Sequence, residues 1–260
     1  MKLSIVIPAY NEATRLPDSL TELVAFANSS KTISLDQLEL VISDDGSKDE
    51  TITVAKGFSD QFPHLKVVAL KENAGKGAAI RNGIKSSIGE WVLVADADMA
   101  TPWTEIDKFF EFLAHEPADM LIGSRALKES DIKTHQPFFR EYMGKIFNLI
   151  IRTITGLSFK DTQCGFKLIK NSLAQKLLPL LKVDRFAWDV ELLMMARLAN
   201  AKVQDRPVEW HHREASRVRP IVDSFEMLMA TLNMRLNMEL NRGRIKDKIS
   251  HEPISSSIAD

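Results

Sequence analysis

A chain of 260 residues and 29.3 kDa is long enough to bury a real core as one large domain or two closely packed halves. Its 34 Lys and Arg against 35 Asp and Glu leave a net charge of -1, which excludes the broad cationic surface nucleic acid demands, so no nucleic-acid partner is expected. The one cysteine, Cys164, excludes an internal disulfide framework and suits a reducing cytoplasm.

In chain order, Leu3 to Ile7 reads as an apolar strand stopped by Pro8-Ala-Tyr10-Asn11-Glu12, and Pro17 to Ala27 carries helical spacing through Leu20, Leu23, Val24 and Ala27. Leu38 to Ile42 is a second strand running into Asp44-Asp45-Gly46-Ser47, where Ser47 and Glu50 spell a capping box for the next helix. His64 to Leu70 is a third strand. Asn73-Ala-Gly75-Lys76-Gly77 then leads into a helix through Ala78, Ile80, Arg81 and Ile84. Trp91 to Ala95 is a buried strand that ends abruptly in Asp96-Ala97-Asp98. Pro102 opens a helix to about His115, and Asp119 to Arg125 is one more strand. Strands alternating with helices over 125 residues predict a doubly wound, mostly parallel sheet.

After Arg125 the pattern changes. Lys128 to Gln136 is polar and irregular, and Pro137 to Leu157 is a long helix with one narrow polar stripe, Glu141, Lys145, Asn148 and Arg152. A core helix and an interfacial helix on a bilayer both require that pattern. Thr162 to Ile169 is a short strand, Leu173 to Leu181 and Trp188 to Ala199 are helices, and Val203 to His211 is a final strand. Pro220 to Leu240 is a helix with Phe225, Leu228, Met229, Leu232, Leu236 and Leu240 on its main apolar face and Met227, Met234 and Met238 roughly opposite. Such methionines suit an adaptable surface for lipid or a second copy in a homo-oligomer, or fill core gaps. Residues 241–260 turn polar and are expected to be a disordered tail.

The chemistry concentrates at strand ends. The segment around Gly75-Lys76-Gly77 fits neither a P-loop nor a G-x-G-x-x-G fingerprint, because Ile80 stands where the third glycine belongs. Yet Tyr10 with Glu12, Asp44 with Asp45, and Asp96 with Asp98 end parallel strands at one sheet edge, where open α/β sheets bind ligands. On an extended strand Asp96 and Asp98 point to one side about 6.6 Å apart, and can share a hard cation, Mg²⁺ or Mn²⁺. An acidic edge tolerates a nucleotide's phosphates only when such an ion neutralises them, and Asp45 can accept a hydrogen bond from a base imide N–H. His211 and His212 are adjacent on a strand and face opposite ways, so they do not readily share a metal and read as core or surface histidines; Cys164 reads as a packing residue.

Val6-Ile-Pro-Ala-Tyr-Asn-Glu12, Asp44-Asp-Gly-Ser47, Asn73-Ala-Gly-Lys-Gly77, Asp96-Ala-Asp98 and Gly123-Ser-Arg125, in this order, resemble family 2 inverting glycosyltransferases. More narrowly, Asp161-Thr-Gln-Cys-Gly-Phe-Lys-Leu168, Trp188-Asp-Val-Glu-Leu-Leu193 and Val208-Glu-Trp210 followed by Ser216-Arg217 are similar to dolichyl-phosphate β-glucosyltransferases. The resemblance spans about residues 3 to 218. It implies a GT-A fold, a nucleotide-sugar donor with a UDP-sugar favoured, a divalent metal, and a polyprenyl or dolichyl phosphate acceptor. Carried across, Pro8, Tyr10, Glu12 and Asp45 hold the nucleoside, and Asp96, Ala97 and Asp98 the ribose, diphosphate and metal. Asp44, Lys76 and Arg81 are assigned to the same donor set. Arg125 lies near the phosphates, and Arg140 is on the acceptor side with Gln163 and Cys164. Arg217 matches a lysine that closes over the diphosphate, although Ala215 stands where a glycine is usual.

The resemblance divides the chain into a donor-binding half, 1–125, and an acceptor-binding, membrane-facing half, 126–240. The chain enters a strand at Lys2 without a secretory pattern, and no apolar run reaches the roughly 18 residues of a spanning helix. The expectation is therefore a peripheral enzyme on the cytoplasmic face of a membrane. A polyprenyl phosphate is already ionised at neutral pH and needs no strong base, whereas a saccharide hydroxyl, the alternative acceptor, requires a carboxylate such as Asp189 or Glu191. Those two acids also suit the first turn of a helix. A sugar-nucleotide pyrophosphorylase would need a glycine-rich loop where Pro8 to Glu12 stands, and retention of Asp96 and Asp98 argues against a non-catalytic module.

Overall fold

The computed structural model describes residues 1–134, 138–212 and 220–251. Four parallel strands come first, β1 (Leu3–Ala9), β2 (Leu38–Asp44), β3 (Leu65–Ala69) and β4 (Trp91–Val94), joined through α1 (Leu16–Ser29), α2 (Thr51–Lys56) and α3 (Lys76–Ser86). Then come α4 (Glu105–His115), β5 (Met120–Ser124), β6 (Asp131–Thr134), α5 (Phe138–Thr155), β7 (Lys167–Lys170), α6 (Asn171–Leu177), α7 (Trp188–Leu198), β8 (Val203–Pro207), β9 (Glu209–His211), α8 (Pro220–Leu240) and α9 (Arg242–His251). The main sheet has the order β3-β2-β1-β4-β7-β5-β8, all parallel except β7.

Alternation along the strands builds two cores, one on each face. Leu3, Ile5, Ile7, Leu38, Leu40, Ile42 and Leu93 pack with Leu20, Leu23 and Phe26 of α1 and Ile106 and Phe109 of α4. Val6, Val41, Val92 and Val94 point the other way, onto Ile80 and Ile84 of α3, Leu177 of α6 and Val190, Leu192 and Met194 of α7. Each such fully buried side chain contributes about 1.5–3 kcal/mol, so burial of both faces holds the sheet between two helical layers. β1 has β2 on one side and β4 on the other, so the strand order reverses there and a crevice opens beyond their C-terminal ends.

Several boundaries differ from expectation for identifiable reasons. Ser47 does not cap α2: its Oγ accepts the Asn11 N–H at 2.9 Å, and Asp49 instead accepts the Thr51 N–H at 3.0 Å. Pro102 sits one turn ahead of α4, in a turn closed by Glu105 N–H to its carbonyl at 3.1 Å. The single strand expected over 203–211 is split at buried Val208, and β9 leaves the main sheet to pair with β6, in a stretch whose polarity gave no strand signal. Residues 242–251, expected to lack structure, form α9, because Ile245 packs against the second core and Ile249 is buried; residues 252–260 lie outside the described residues.

The two amphipathic helices are turned in ways periodicity did not settle. On α5, Ile151 and Thr155 are fully buried and Asn148 faces the 160–162 loop, donating to the Lys160 carbonyl at 2.6 Å, while Tyr142, Met143, Ile146, Leu149 and Ile150 are exposed. On α8, Met234 and Met238 are buried, whereas Phe225, Met229, Leu232, Leu236 and Leu240 of the supposed main face are exposed. The methionines are the core-filling residues.

Candidate active site

The C-terminal ends of β1 and β2 form one wall of the crevice. Asp45 is buried; it accepts the Ala74 N–H at 2.8 Å, the Gly75 N–H at 2.9 Å and Asn73 Nδ2 at 2.8 Å. Burial pushes its carboxyl above the ordinary value, despite those backbone donors. Most of its acceptor capacity thus ties β2 to the loop that starts α3, and about one lone-pair site of four remains for a ligand. Asp44 accepts the Ser47 N–H at 2.9 Å through Oδ2, and its buried Oδ1 has no hydrogen-bond partner. Glu12 is buried and bonded to the Arg15 guanidinium, Nε to Oε2 at 2.6 Å, while Pro8 and Tyr10 are half-buried beside it.

The centre of the crevice is ionic. β4 ends at Val94, one residue earlier than expected, and Asp96 and Asp98 stand in a turn closed by the Met99 N–H on the Asp96 carbonyl at 3.3 Å, not on an extended strand. Lys76, at the start of α3, reaches the Asp96 carboxylate at 2.6 Å. Burial pushes Asp96 up, but Lys76 foremost, with Lys167 and Arg125, holds it below the usual carboxylate range. Asp98 is raised, by burial first and then by the charge of Asp96. Ala97 between them is buried in the first core.

Because β7 runs antiparallel, Lys167 at its start lies opposite Val94 at the end of β4. Lys167 is fully buried and donates both to the Asp189 carboxylate and to the Cys164 carbonyl. Burial raises Asp189 above its ordinary value, with Lys167 and then Lys76 opposing. Arg125, after β5, grips Asp161 bidentately at 2.6 and 3.0 Å, and despite burial its charge brings the Asp161 carboxyl down to about 2. Lys76, Arg125, Lys167, Asp96, Asp98 and Asp189 therefore form one cluster.

Other nominated residues stand apart. Arg81 donates to the Val183 carbonyl at 2.5 Å and to Asp184, clamping the 183–185 loop over α3. That loop crosses so closely that a Cβ on Gly77 would lie 2.3 Å from the Val183 carbonyl oxygen, which is why Lys76 is flanked by small residues. Glu191, two residues from Asp189 and on another side of α7, accepts the Lys182 and Val183 N–H groups at 2.9–3.0 Å and is raised by burial. Cys164 is a buried packing residue, its thiol pushed up by burial, and Gln163 lies 3.9 Å from the Met227 sulfur of α8. The Arg140 side chain and Arg217 lie outside the described residues. Missed in the sequence were Lys167, Asp161 and Arg15; the last is bonded to Glu12 and close enough to Asp98 and Asp96 to feel their charge.

A divalent cation fits the Asp96–Asp98 pair. Two neighbouring carboxylates, of which Asp98 is raised by burial and then by the charge of Asp96, are what a cation would relieve. Gly165 leaves the Asp96 carboxylate room on its other side, since a Cβ there would lie 2.2 Å from Oδ2. Among the described residues no group of three or more His, Cys, Asp or Glu stands ready to hold a metal, so the remaining ligands would come from substrate oxygens or water.

Comparisons with known proteins match this architecture. The profile of "Glycosyl transferase family 2" matches residues 4–178. Dolichyl-phosphate beta-glucosyltransferase of Dictyostelium discoideum is 34% identical over 251 residues, covering 94% of this chain and 77% of the relative. The Homo sapiens protein of the same name is 35% identical over 243 residues, 90% and 75% of the two chains. Among solved structures, Mycobacterium tuberculosis glucosyl-3-phosphoglycerate synthase with Mn²⁺, UDP-glucose and phosphoglyceric acid superposes with a TM-score of 0.64 at 18% identity, over 91% of this chain and 80% of that one. S. aureus TarS with UDP-GlcNAc gives 0.60 at 20% identity, over 96% and 70%. The fold is thus GT-A, and with its sequence relatives and its reversed-order sheet edge the chain belongs to glycosyl transferase family 2 and is a glycosyltransferase.

Proposed function

We propose that this enzyme transfers glucose from UDP-glucose, with inversion, onto dolichyl or another polyprenyl phosphate, as a peripheral protein at the cytoplasmic face of a membrane. The names of its sequence relatives support the acceptor and the sugar, and the Mn²⁺ and UDP-glucose of a structural neighbour support the donor and the ion. The observation that carries the acceptor is the state of the two nominated bases. Asp189 is locked to buried Lys167, and both oxygens of Glu191 are taken by backbone N–H groups. Neither is a poised base for a hydroxyl, and an acceptor phosphate, ionised at neutral pH, needs none.

In this reading Asp45, Tyr10, Pro8 and Glu12 would line the nucleoside, and Asp96 and Asp98 would hold Mg²⁺ or Mn²⁺. The ion would stabilise the charge of the departing diphosphate. Lys76, which pairs with Asp96, and Arg125, held by Asp161, would supply positive charge to the phosphate oxygens of the donor. Arg217 is assigned to the same leaving group, and Arg140, Gln163 and Cys164 to the acceptor side. Radiolabelled UDP-glucose incubated with polyprenyl phosphate and Mn²⁺ should give a chloroform-soluble, mild-acid-labile product. Label only in water-soluble glycans would overturn the lipid acceptor and favour a saccharide hydroxyl.

A further inference from the structure

We infer that the outward faces of α5 and α8, with the cationic helix α9 that follows them, form a docking surface for a bilayer leaflet carrying anionic headgroups. The apolar part is two parallel-sided stripes. Tyr142, Met143, Ile146, Leu149 and Ile150 recur at helical spacing along α5, and Val222, Phe225, Met229, Leu232, Leu236 and Leu240 along α8, all of them exposed. The two helices pack against each other, so the stripes lie side by side. A contiguous patch of this kind marks an interaction surface rather than ordinary surface wear. Among the described residues no helix is long and apolar enough to cross a membrane, so the surface lies on its partner and does not span it.

Charge selects the occupant. α9 begins two residues after Leu240, itself 82% exposed, and presents Arg242, Arg244, Lys246 and Lys248 to solvent with Asp247 as its single acid. Four residues of chain reach at most about 14 Å, so Arg242 and Arg244 border the apolar stripe by connectivity alone. Two further guanidiniums stand behind them. Arg197 donates to the Thr155 and Gly156 carbonyls at the end of α5 at 2.8 and 2.7 Å, and Arg235 of α8 pairs with Glu239 at 2.6 Å. Arg197 is lowered by burial and then by the charges of Arg235 and Arg242, so the cations crowd at this end. Four exposed cations against one acid on α9, next to an exposed apolar stripe in a chain of net charge -1, match a negatively charged leaflet. A second copy of this face would bring like charges together.

This deepens the lipid-acceptor reading above, from which it draws its purpose, but its test does not depend on turnover. Sedimentation is measured with vesicles of phosphatidylcholine, with and without phosphatidylserine, containing neither donor nor polyprenyl phosphate. Taking about fivefold for each cation that reaches an anionic surface, binding should be ~30-fold or more tighter on the anionic vesicles and should weaken as salt rises. Arg242→Glu with Arg244→Glu should remove most of that preference, and Leu236→Glu with Leu240→Glu should abolish binding to both kinds of vesicle. All four positions are exposed, so urea midpoints should stay at the wild-type value. Equal binding to neutral and anionic vesicles, no binding to either, or a salt-insensitive dimer lost in the leucine variant would overturn the inference. Transfer to polyprenyl phosphate dissolved in detergent scores the lipid acceptor separately.

Discussion

Lys167 offers the sharpest test of the site. Its ammonium is fully buried, donates to Asp189 and to the Cys164 carbonyl, and lies 5.3 Å from the centre of the Trp188 ring. In Lys167→Met the methionine fills the space, but Asp189 remains as a buried carboxylate without its partner. Breaking one side of a buried pair costs about 3–5 kcal/mol, a large fraction of the roughly 5–15 kcal/mol that hold a domain folded. Equilibrium urea unfolding near neutral pH should show that loss. The double variant Lys167→Met with Asp189→Leu should recover most of it, because an apolar pair of similar volume leaves no charge to desolvate. Transfer activity should not recover with it. Lys167 is also one of the cations that hold Asp96 ionised, and the double variant lacks it as the single does. A single variant within about 1 kcal/mol of wild type, or a double variant no more stable than the single, would refute the claim that this pair is a buried, mutually dependent unit.

Asp98 has its folded pKa raised, by burial and then by Asp96, so its contribution to stability is fully present in acid and lost as pH rises through that folded value. Asp98→Asn should accordingly raise the urea midpoint of the metal-free protein at neutral pH, with the advantage fading in acid; Mn²⁺ should raise the midpoint of wild type and leave that of the variant unchanged. Asp161 has the opposite sign: brought down to about 2 from 3.8, it supplies about 2 kcal/mol that is present above the unfolded value and lost as pH falls from there toward the folded one. Asp161→Asn should lose that stability at neutral pH and show a flatter acid limb in denaturant titrations, whereas an unchanged limb would mean that the Arg125 pair does not bear on folding.

The donor-side elements were legible because their signal is local. An apolar run that stops in charge announces both a buried strand and the end at which it meets solvent, and β1, β2 and β4 all carry it. The failures come where the deciding fact is a long-range one. On α8 both faces are apolar, and only the surface it packs against determines that Met234 and Met238 go inward and Leu236 and Leu240 stay out. β6 carries the sequence Asp-Ile-Lys-Thr, which has no pattern of its own and becomes a strand only because β9 is there to pair with it. Arg81 sits in a motif shared with the donor loop, yet its partner is Asp184, more than a hundred residues away.

Lys167 shows how such a long-range fact shapes the chemistry. Within Phe166-Lys167-Leu168 it reads as a lysine in an apolar strand, and nothing local says which end of that strand faces the crevice. In an all-parallel sheet the residues that begin a strand lie on the edge away from the ligand, and Lys167 would be remote from Asp96. The reversal of β7 places a strand start among strand ends, opposite Val94. Asp96 and Asp98 leave β4 directly beyond that point, so the same reversal supplies a buried cation to an acidic corner that three parallel strand ends made. It also brings Gly165 against the Asp96 carboxylate, where any larger residue would press on it. Asp189 arrives from α7 on the opposite side of Lys167 and completes the balance of charge. The direction of one four-residue strand therefore adds Lys167 to Lys76 in holding Asp96 ionised at the half-buried corner where a divalent ion and a diphosphate would sit.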